Sequence, residues 1–469
     1  MRYLIAAYLT AVAFVIIAKM ITHAKSGRVE LFSIRNMFLA GFFVFQLSSA
    51  VLYLGFFIYG DIQPDNYQTT PLIYAFMVTV FLWLFFWAHN REWSVLRRLR
   101  VPGSGWDGGP MAWIMLGFVL LAIGIGLKVG LISIPLINII ASQMGSGVIA
   151  AAAGCAAWGW SKNFRNPSLA TLAIIVLGIA SFLILYRAFG RRPVLGVLLA
   201  FGWALYWGLW RALPPGMLLR RLFVWGGAAI FALVAYTASR SAASQFEKKG
   251  AGELLRAVFE VRGEDFKTGI AAVFSGQNAG PLSMWAIETY GTAYPYHFLH
   301  QVEYLVSIPI PRAIYPSKPE PLGKLLVDHG YIRLKGSGNV YNVGPGIIGH
   351  AAHDMPWVAL PLYAIAIGIG LRCLDEKIRW SVHLPVVIIP LGAGLGQILA
   401  LARGESALFM FEAVMAMAGA WIFIRLGGRI LAMFGGMVQT PPEEPWDPLF
   451  PDTAEDAWED QPANAASST

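Results

Sequence analysis

Four stretches of the chain carry residue types and spacings suited to chemistry on an anionic substrate with hydroxyl groups. In the first, Arg312 and Lys318 stand among Pro309, Pro311, Pro316, Pro319 and Pro321. Each proline fixes φ and removes a backbone donor, so the backbone from Ile308 to Leu322 is extended or turned. Two cations on a stiff segment lose little entropy in holding a phosphate; surface charges paired on a rigid loop are the plainer alternative. In the second, Gly344, Gly346 and Gly349 permit close backbone approach ahead of His350 and His353. That spacing puts both histidines on one helical face, but the Glu of the H-E-x-x-H signature is missing, so no metal is assigned. Either histidine suits a base or a sugar ligand, because imidazole titrates near neutral pH. In the third, Arg403 and Glu405 lie two residues apart, able to bind phosphate and activate a hydroxyl, or to form a plain interfacial turn. In the fourth, Arg187, Arg191 and Arg192 separate two apolar runs, where interfacial cations suit a lipid pyrophosphate.

Lesser signals surround these. Trp285, Tyr290, Tyr294, Tyr296, Tyr304 and Tyr315 crowd the same region; flat rings stack on sugar C–H faces, although an interfacial aromatic belt accounts for many of them. Glu412 lies inside the last apolar run, where a carboxylate is costly and is functional or paired.

The elements that must position these groups are membrane helices. The chain has 469 residues, 57% hydrophobic and 13% charged, about half the charge of a soluble domain. Apolar runs fall near 3–22, 36–60, 71–89, 110–129, 136–158, 167–186, 193–210, 221–238, 355–373, 382–402 and 408–430, giving about eleven spans. The stretch 110–158 is interrupted by Lys128, Pro135 and Gln143 and reads as two helices with a tight connection. The first run lacks a small-residue cleavage site and reads as a retained helix. Cys155 and Cys373 form no disulfide framework and no metal-ligand pair.

Four regions follow: helices 1–8 over 1–238, a large loop over 239–354, helices 9–11 over 355–434, and an acidic tail over 435–469 whose composition suggests disorder. Short-loop bases (Lys25, Arg35, Arg91, Arg97, Arg98, Arg100, Lys162, Arg211, Arg372, Lys377) share one side if the N-terminus is outside, which places the large loop outside as well. Arg187, Arg191 and Arg192 break that rule. Within the loop, 251–262 and 296–307 read as amphipathic helices; the second has Phe298, Leu299, Val302, Leu305 and Val306 as its apolar face, with His297, His300, Gln301 and Glu303 polar. The formal charge is +8, and the eight acids of the tail leave the body more cationic still, which fits anionic lipid headgroups. No basic, aromatic-interleaved soluble module is present, so nucleic acid is not an expected partner.

The pattern Y-G-T-A-Y from Tyr290, I-P-R-A-I-Y-P-S-K-P-E-P-L-G from Ile310, N-x-G-P-G-I-I-G from Asn342, and Arg403-Gly404 before the last span resembles the Wzy-type polymerases of O-antigen and other bacterial polysaccharides. The likeness covers about 60 residues and the short Arg-Gly loop. It implies an all-α, multi-pass, GT-C-like inverting glycosyltransferase of the bacterial inner membrane. Its substrates would be oligosaccharide repeat units on undecaprenyl diphosphate at the outer face. No cofactor is expected, because the glycosyl diphosphate is already activated. Lipid-linked oligosaccharides and membrane lipids are the implied partners, with a chain-length regulator and a flippase of the same pathway. Arg312, Lys318 and Arg403 would stabilise the leaving diphosphate, with Arg187, Arg191 and Arg192 behind them. His350, His353, Glu303 and Glu405 are the candidate proton acceptors. Tyr290, Tyr294, Tyr315 and Asn342 are candidate sugar contacts. An O-antigen ligase and a polysaccharide flippase are the alternatives; the absence of an internal repeat argues against the flippase.

Overall fold

The structure, a computed structural model, describes residues 1–26, 29–56, 69–100, 105–130, 135–185, 191–243, 278–329 and 343–440. Arg187, Asn342, the 251–262 stretch and the tail beyond 440 lie outside the described residues.

Among the described residues, eight helices are long and apolar enough to cross a membrane: Arg2–Lys25, Ile34–Phe56, Thr70–Asn90, Pro110–Lys128, Ile137–Lys162, Gly216–Ala235, Pro356–Arg379 and Ser406–Met433. Pro167–Leu183 and Pro385–Ala400 are shorter apolar helices, and Arg191–Gly208 is the remaining helix on an expected span. Each of the eleven apolar runs carries a helix within its described residues. The protein is a mostly helical chain of multi-pass membrane type. Its outer faces fit lipid rather than water: Phe223 is 82% and Phe231 62% exposed on the Pro215–Ala243 helix.

Contacts sort the helix ends into two groups. At one end Asp375 accepts the backbone N–H groups of Ile34 and Arg35, Arg100 pairs with Glu376, and Arg211 pairs with Glu30. The basic short loops gather here. At this end Gly105–Gly108 pairs antiparallel with Met437–Thr440, so the acidic tail does not begin at 435: a strand anchors its first residues. At the opposite end the described parts of 239–354 cover the bundle, and Arg192 lies at that end too, beside Glu412.

The Ile34–Phe56 span contains a π-helical segment, Phe43–Ser48. Such widened turns push a side chain out of register and often mark functional positions. Gln46 lies in this segment and is fully buried. Its amide donates to the carbonyls of Pro345 (3.2 Å) and Ala402 (2.8 Å), and its oxygen accepts from the Tyr74 hydroxyl (2.9 Å). Gln46 thereby ties the glycine-rich turn before His350 to the turn containing Arg403.

Candidate functional site

Two of the sequence motifs meet backbone to backbone. A Cβ on Gly344 would lie 2.7 Å from the Arg403 carbonyl oxygen. Gly346 has φ +68°, and a Cβ there would collide with the Ala402 carbonyl and the Gln46 amide. Glycine is required at 346 by both conformation and space. This contact brings the helix Gly346–His353 against the turn that starts the helix Ser406–Met433.

The meeting point is a buried polar cluster. Neutral His350 is its centre: burial pushes its pKa down to about 3. Gln301 donates its amide to His350 Nδ1, and His350 Nε2 faces the Gly404 carbonyl at 3.2 Å. Gln301 also accepts from the Ala407 N–H (3.0 Å) and donates its own N–H to Asp354 Oδ2 (2.7 Å). One glutamine thus joins three elements.

Glu405 precedes the Ser406–Met433 helix and is buried. Its Oε1 accepts the Gly323 N–H. Among the described residues its Oε2 has no hydrogen-bond partner, and it lies 3.6 Å from His350 Nε2. Burial raises its pKa to about 7; the N–H groups of Gly323 and Leu322 offset part of the rise. A carboxylate that exchanges a proton near neutral pH is suited to general acid–base work.

Beside it, Asp354 Oδ1 holds His353 Nδ1 at 2.5 Å, and Asp354 Oδ2 accepts the Tyr363 hydroxyl. Burial alone would raise Asp354, but bonds from His353, Tyr363 and Gln301 keep it below the usual carboxylate range. Tyr290 packs edge-on against His353 at 4.5 Å and bonds His329 Nδ1 at 3.1 Å, while Tyr294 stacks on His329 at 3.8 Å. Their ring faces pack on histidines in this structure.

The helix His300–Ser307 is amphipathic, but inverted relative to the usual orientation. Its polar side (His300, Gln301, Tyr304 and Ser307) is buried, while Phe298 is 64% and Val306 66% exposed. Of the apolar face named from sequence, Phe298, Val302 and Val306 point outward, whereas Leu305 packs inward beside Tyr304 and Ile308. Glu303 lies on the exposed side, bonding the Tyr315 hydroxyl at 3.0 Å, apart from the other candidate bases.

Arg312 and Lys318 are bonded within their own loop. Arg312 pairs with Glu320 (2.9 Å) and donates to the Lys318 carbonyl (3.1 Å). The Lys318 ammonium donates to the carbonyls of Ile308 (2.8 Å) and Ile310 (3.2 Å). These bonds fix the proline-rich loop. Arg403 is half-buried with its guanidinium over the Phe45 ring at 5.7 Å.

A second polar region lies deeper. Arg192 pairs with Glu412 at 3.0 Å and stacks 3.7 Å over Phe409; Gln143 donates to Glu412 at 3.2 Å. Arg192, Gln143 and Glu412 line a cavity of about 180 Å³ with Lys128, Ser142 and Gln397. Glu412 follows Glu405 by two helical turns, about 10 Å along the axis. Arg191 opens the helix that carries Arg192.

The structure thus gathers Glu405, His350, His353 and the Arg403 turn, and separates Glu303 from them. Sequence reading passed over Gln46, Gln301, His300 and Asp354 as site residues. The signals for the deeper cavity were Arg192, named as an interfacial cation, the costly carboxylate Glu412, and Lys128 and Gln143 as interruptions of an apolar stretch. The chain has no match among family models, curated proteins or solved structures.

Proposed function

We propose that the protein is a membrane glycosyltransferase that polymerises undecaprenyl-diphosphate-linked oligosaccharide repeat units at the outer face of the bacterial inner membrane. The observation that carries this reading is Glu405: a buried carboxylate with one oxygen unpartnered among the described residues, in the same turn as Arg403. The Cα atoms of Arg403 and Glu405 are at most about 7 Å apart by chain geometry. On this reading one short turn supplies both the cation for the diphosphate and the carboxylate for the acceptor hydroxyl.

The chemistry needs both groups. An acceptor hydroxyl oxygen attacks the anomeric carbon, the bond from that carbon to the diphosphate breaks, and the diphosphate leaves with the electron pair. The hydroxyl proton passes to Glu405. Arg403 stabilises charge growing on the leaving oxygens, with a planar fork that matches phosphate. Attack opposite the leaving group inverts the anomeric centre. The outward apolar face of His300–Ser307 and the polar cavity at Arg192 both suit a substrate that is part lipid and part sugar.

Reconstitution tests it. Proteoliposomes with the wild-type protein and a purified lipid-linked repeat unit should yield a ladder of polymer lengths. Arg403→Lys should lower the rate at least about tenfold, the loss of one charge-assisted contact. A finished glycan moved to another lipid, with no ladder, would instead indicate a ligase.

A further inference from the structure

We infer that His300, His353 and Asp354 form a binding site for a divalent transition-metal ion of the zinc type. All three are buried, and one donor atom from each lies within 4.8 Å of the others. The set is two imidazoles and a carboxylate, which suits borderline ions such as Zn²⁺. The donors come from two elements: His353 and Asp354 from the end of Gly346–His353, and His300 from the start of His300–Ser307. Backbone bonds hold those elements together, since the Gln301 N–H donates to Asp354 and the His297 N–H donates to the His353 carbonyl at 3.1 Å. The frame of the site is therefore fixed without any ion.

His300 supplies the independent observation. Its residue is 3% exposed, yet among the described residues Nδ1 has no hydrogen-bond partner. A buried polar atom left unsatisfied carries a real cost and calls for an explanation. In the tautomer with the proton on Nε2, the Nδ1 lone pair is left for a ligand. The ring faces His353 edge to face at 4.8 Å between centroids.

A metal bound at His353 Nδ1 takes the place of the proton that this nitrogen donates to Asp354 Oδ1, and that proton moves to Nε2 of the same ring. Nitrogen and oxygen then bind the ion at about 2.0–2.2 Å each. Asp354 Oδ2 keeps its bonds from Tyr363 and Gln301, which act as the outer support. The two motif histidines do not ligate together: His350 is held by Gln301 and the Gly404 carbonyl instead. That is why the H-x-x-H spacing alone gave no metal site.

The site is independent of the glycosyl-transfer reading, and so is its test. Full-length protein in detergent micelles is stripped with a chelator, then dialysed against Co²⁺ or Zn²⁺. Wild type should retain one ion per chain, show the visible bands of four-coordinate Co²⁺, and melt at higher temperature with Zn²⁺ than without. His300→Ala and Asp354→Asn should lose the ion, while Glu303→Ala, on the exposed face, should keep it. X-ray absorption on the wild type alone should show a nitrogen/oxygen shell with scattering from two imidazoles, which covers the case of a variant that fails to fold. Folded wild type that retains no ion, a spectrum without imidazole scattering, or a His300→Ala protein that keeps the ion would overturn the assignment.

Discussion

Glu405→Gln should move activity and stability in opposite directions. The substitution fixes the neutral form of a buried side chain at nearly unchanged volume. In the folded protein the Glu405 carboxyl holds its proton up to about pH 7, against 4.5 for the unperturbed group. Between those values the unfolded chain has released the proton and the folded chain has not, so wild-type stability falls as pH rises through the window. The difference is worth about 3 kcal/mol once pH exceeds the folded value. The glutamine variant has no such proton to lose. It should be more stable than wild type at pH 8 by roughly that amount and nearly equal below pH 4.5. Its polymerisation rate should fall by about 10²–10⁴-fold, the usual contribution of a positioned base. Wild-type rate should rise with pH through about 7 as the carboxylate forms. Urea or thermal unfolding in detergent at several pH values reads the first quantity, and ladder formation in proteoliposomes reads the second. Equal pH slopes of stability for wild type and variant, or a variant that polymerises normally, would refute the role given to Glu405.

Four further outcomes are expected. Gly346→Ala must place a Cβ against the Ala402 carbonyl at φ +68°, and should destabilise by about 2–4 kcal/mol in unfolding assays. Arg192→Ala leaves Glu412 buried without its cation and should cost about 3 kcal/mol, most of it regained on adding Glu412→Gln; a double variant no more stable than the single would contradict this. Arg312→Lys, at a half-exposed pair with Glu320, should change stability by only about 0–1 kcal/mol and slow polymerisation by less than about threefold, whereas Arg403→Lys loses at least about tenfold; the reverse order would put the diphosphate on the proline-rich loop. Truncation after Thr440 keeps the strand Met437–Thr440 and should leave polymer synthesis unchanged in a complemented null strain.

The helices were legible in the sequence because a long apolar run has few alternatives to a buried or membrane helix, and all eleven runs carry a helix in their described residues. Orientation on the surface was less legible. Phe298, Val302 and Val306 have the spacing of a core-facing stripe, yet they face outward. Periodicity identifies an apolar face without saying whether protein or lipid covers it. The Arg403–Glu405 turn was legible because its neighbours in space are neighbours in sequence. The rest of the cluster was not, because His300, Gln301 and Asp354 meet only through contacts between segments some fifty residues apart. Gln46 lies further still, and nothing in its local sequence signals the π-helical turn that aims it at Pro345 and Ala402. Arg312 and Lys318 were visible as stiffly placed cations, but their loop partners, Glu320 and the carbonyls of Ile308 and Ile310, depend on how the prolines turn the chain.

The most direct measurement is a time course of purified protein in proteoliposomes with one lipid-linked repeat unit and no nucleotide sugar. The account predicts a ladder that lengthens with time, release of undecaprenyl diphosphate in step with each linkage formed, and inverted configuration at every new bond. Folded protein that leaves the repeat unit unpolymerised, or that gives a ladder with Glu405→Gln at the wild-type rate, would contradict it.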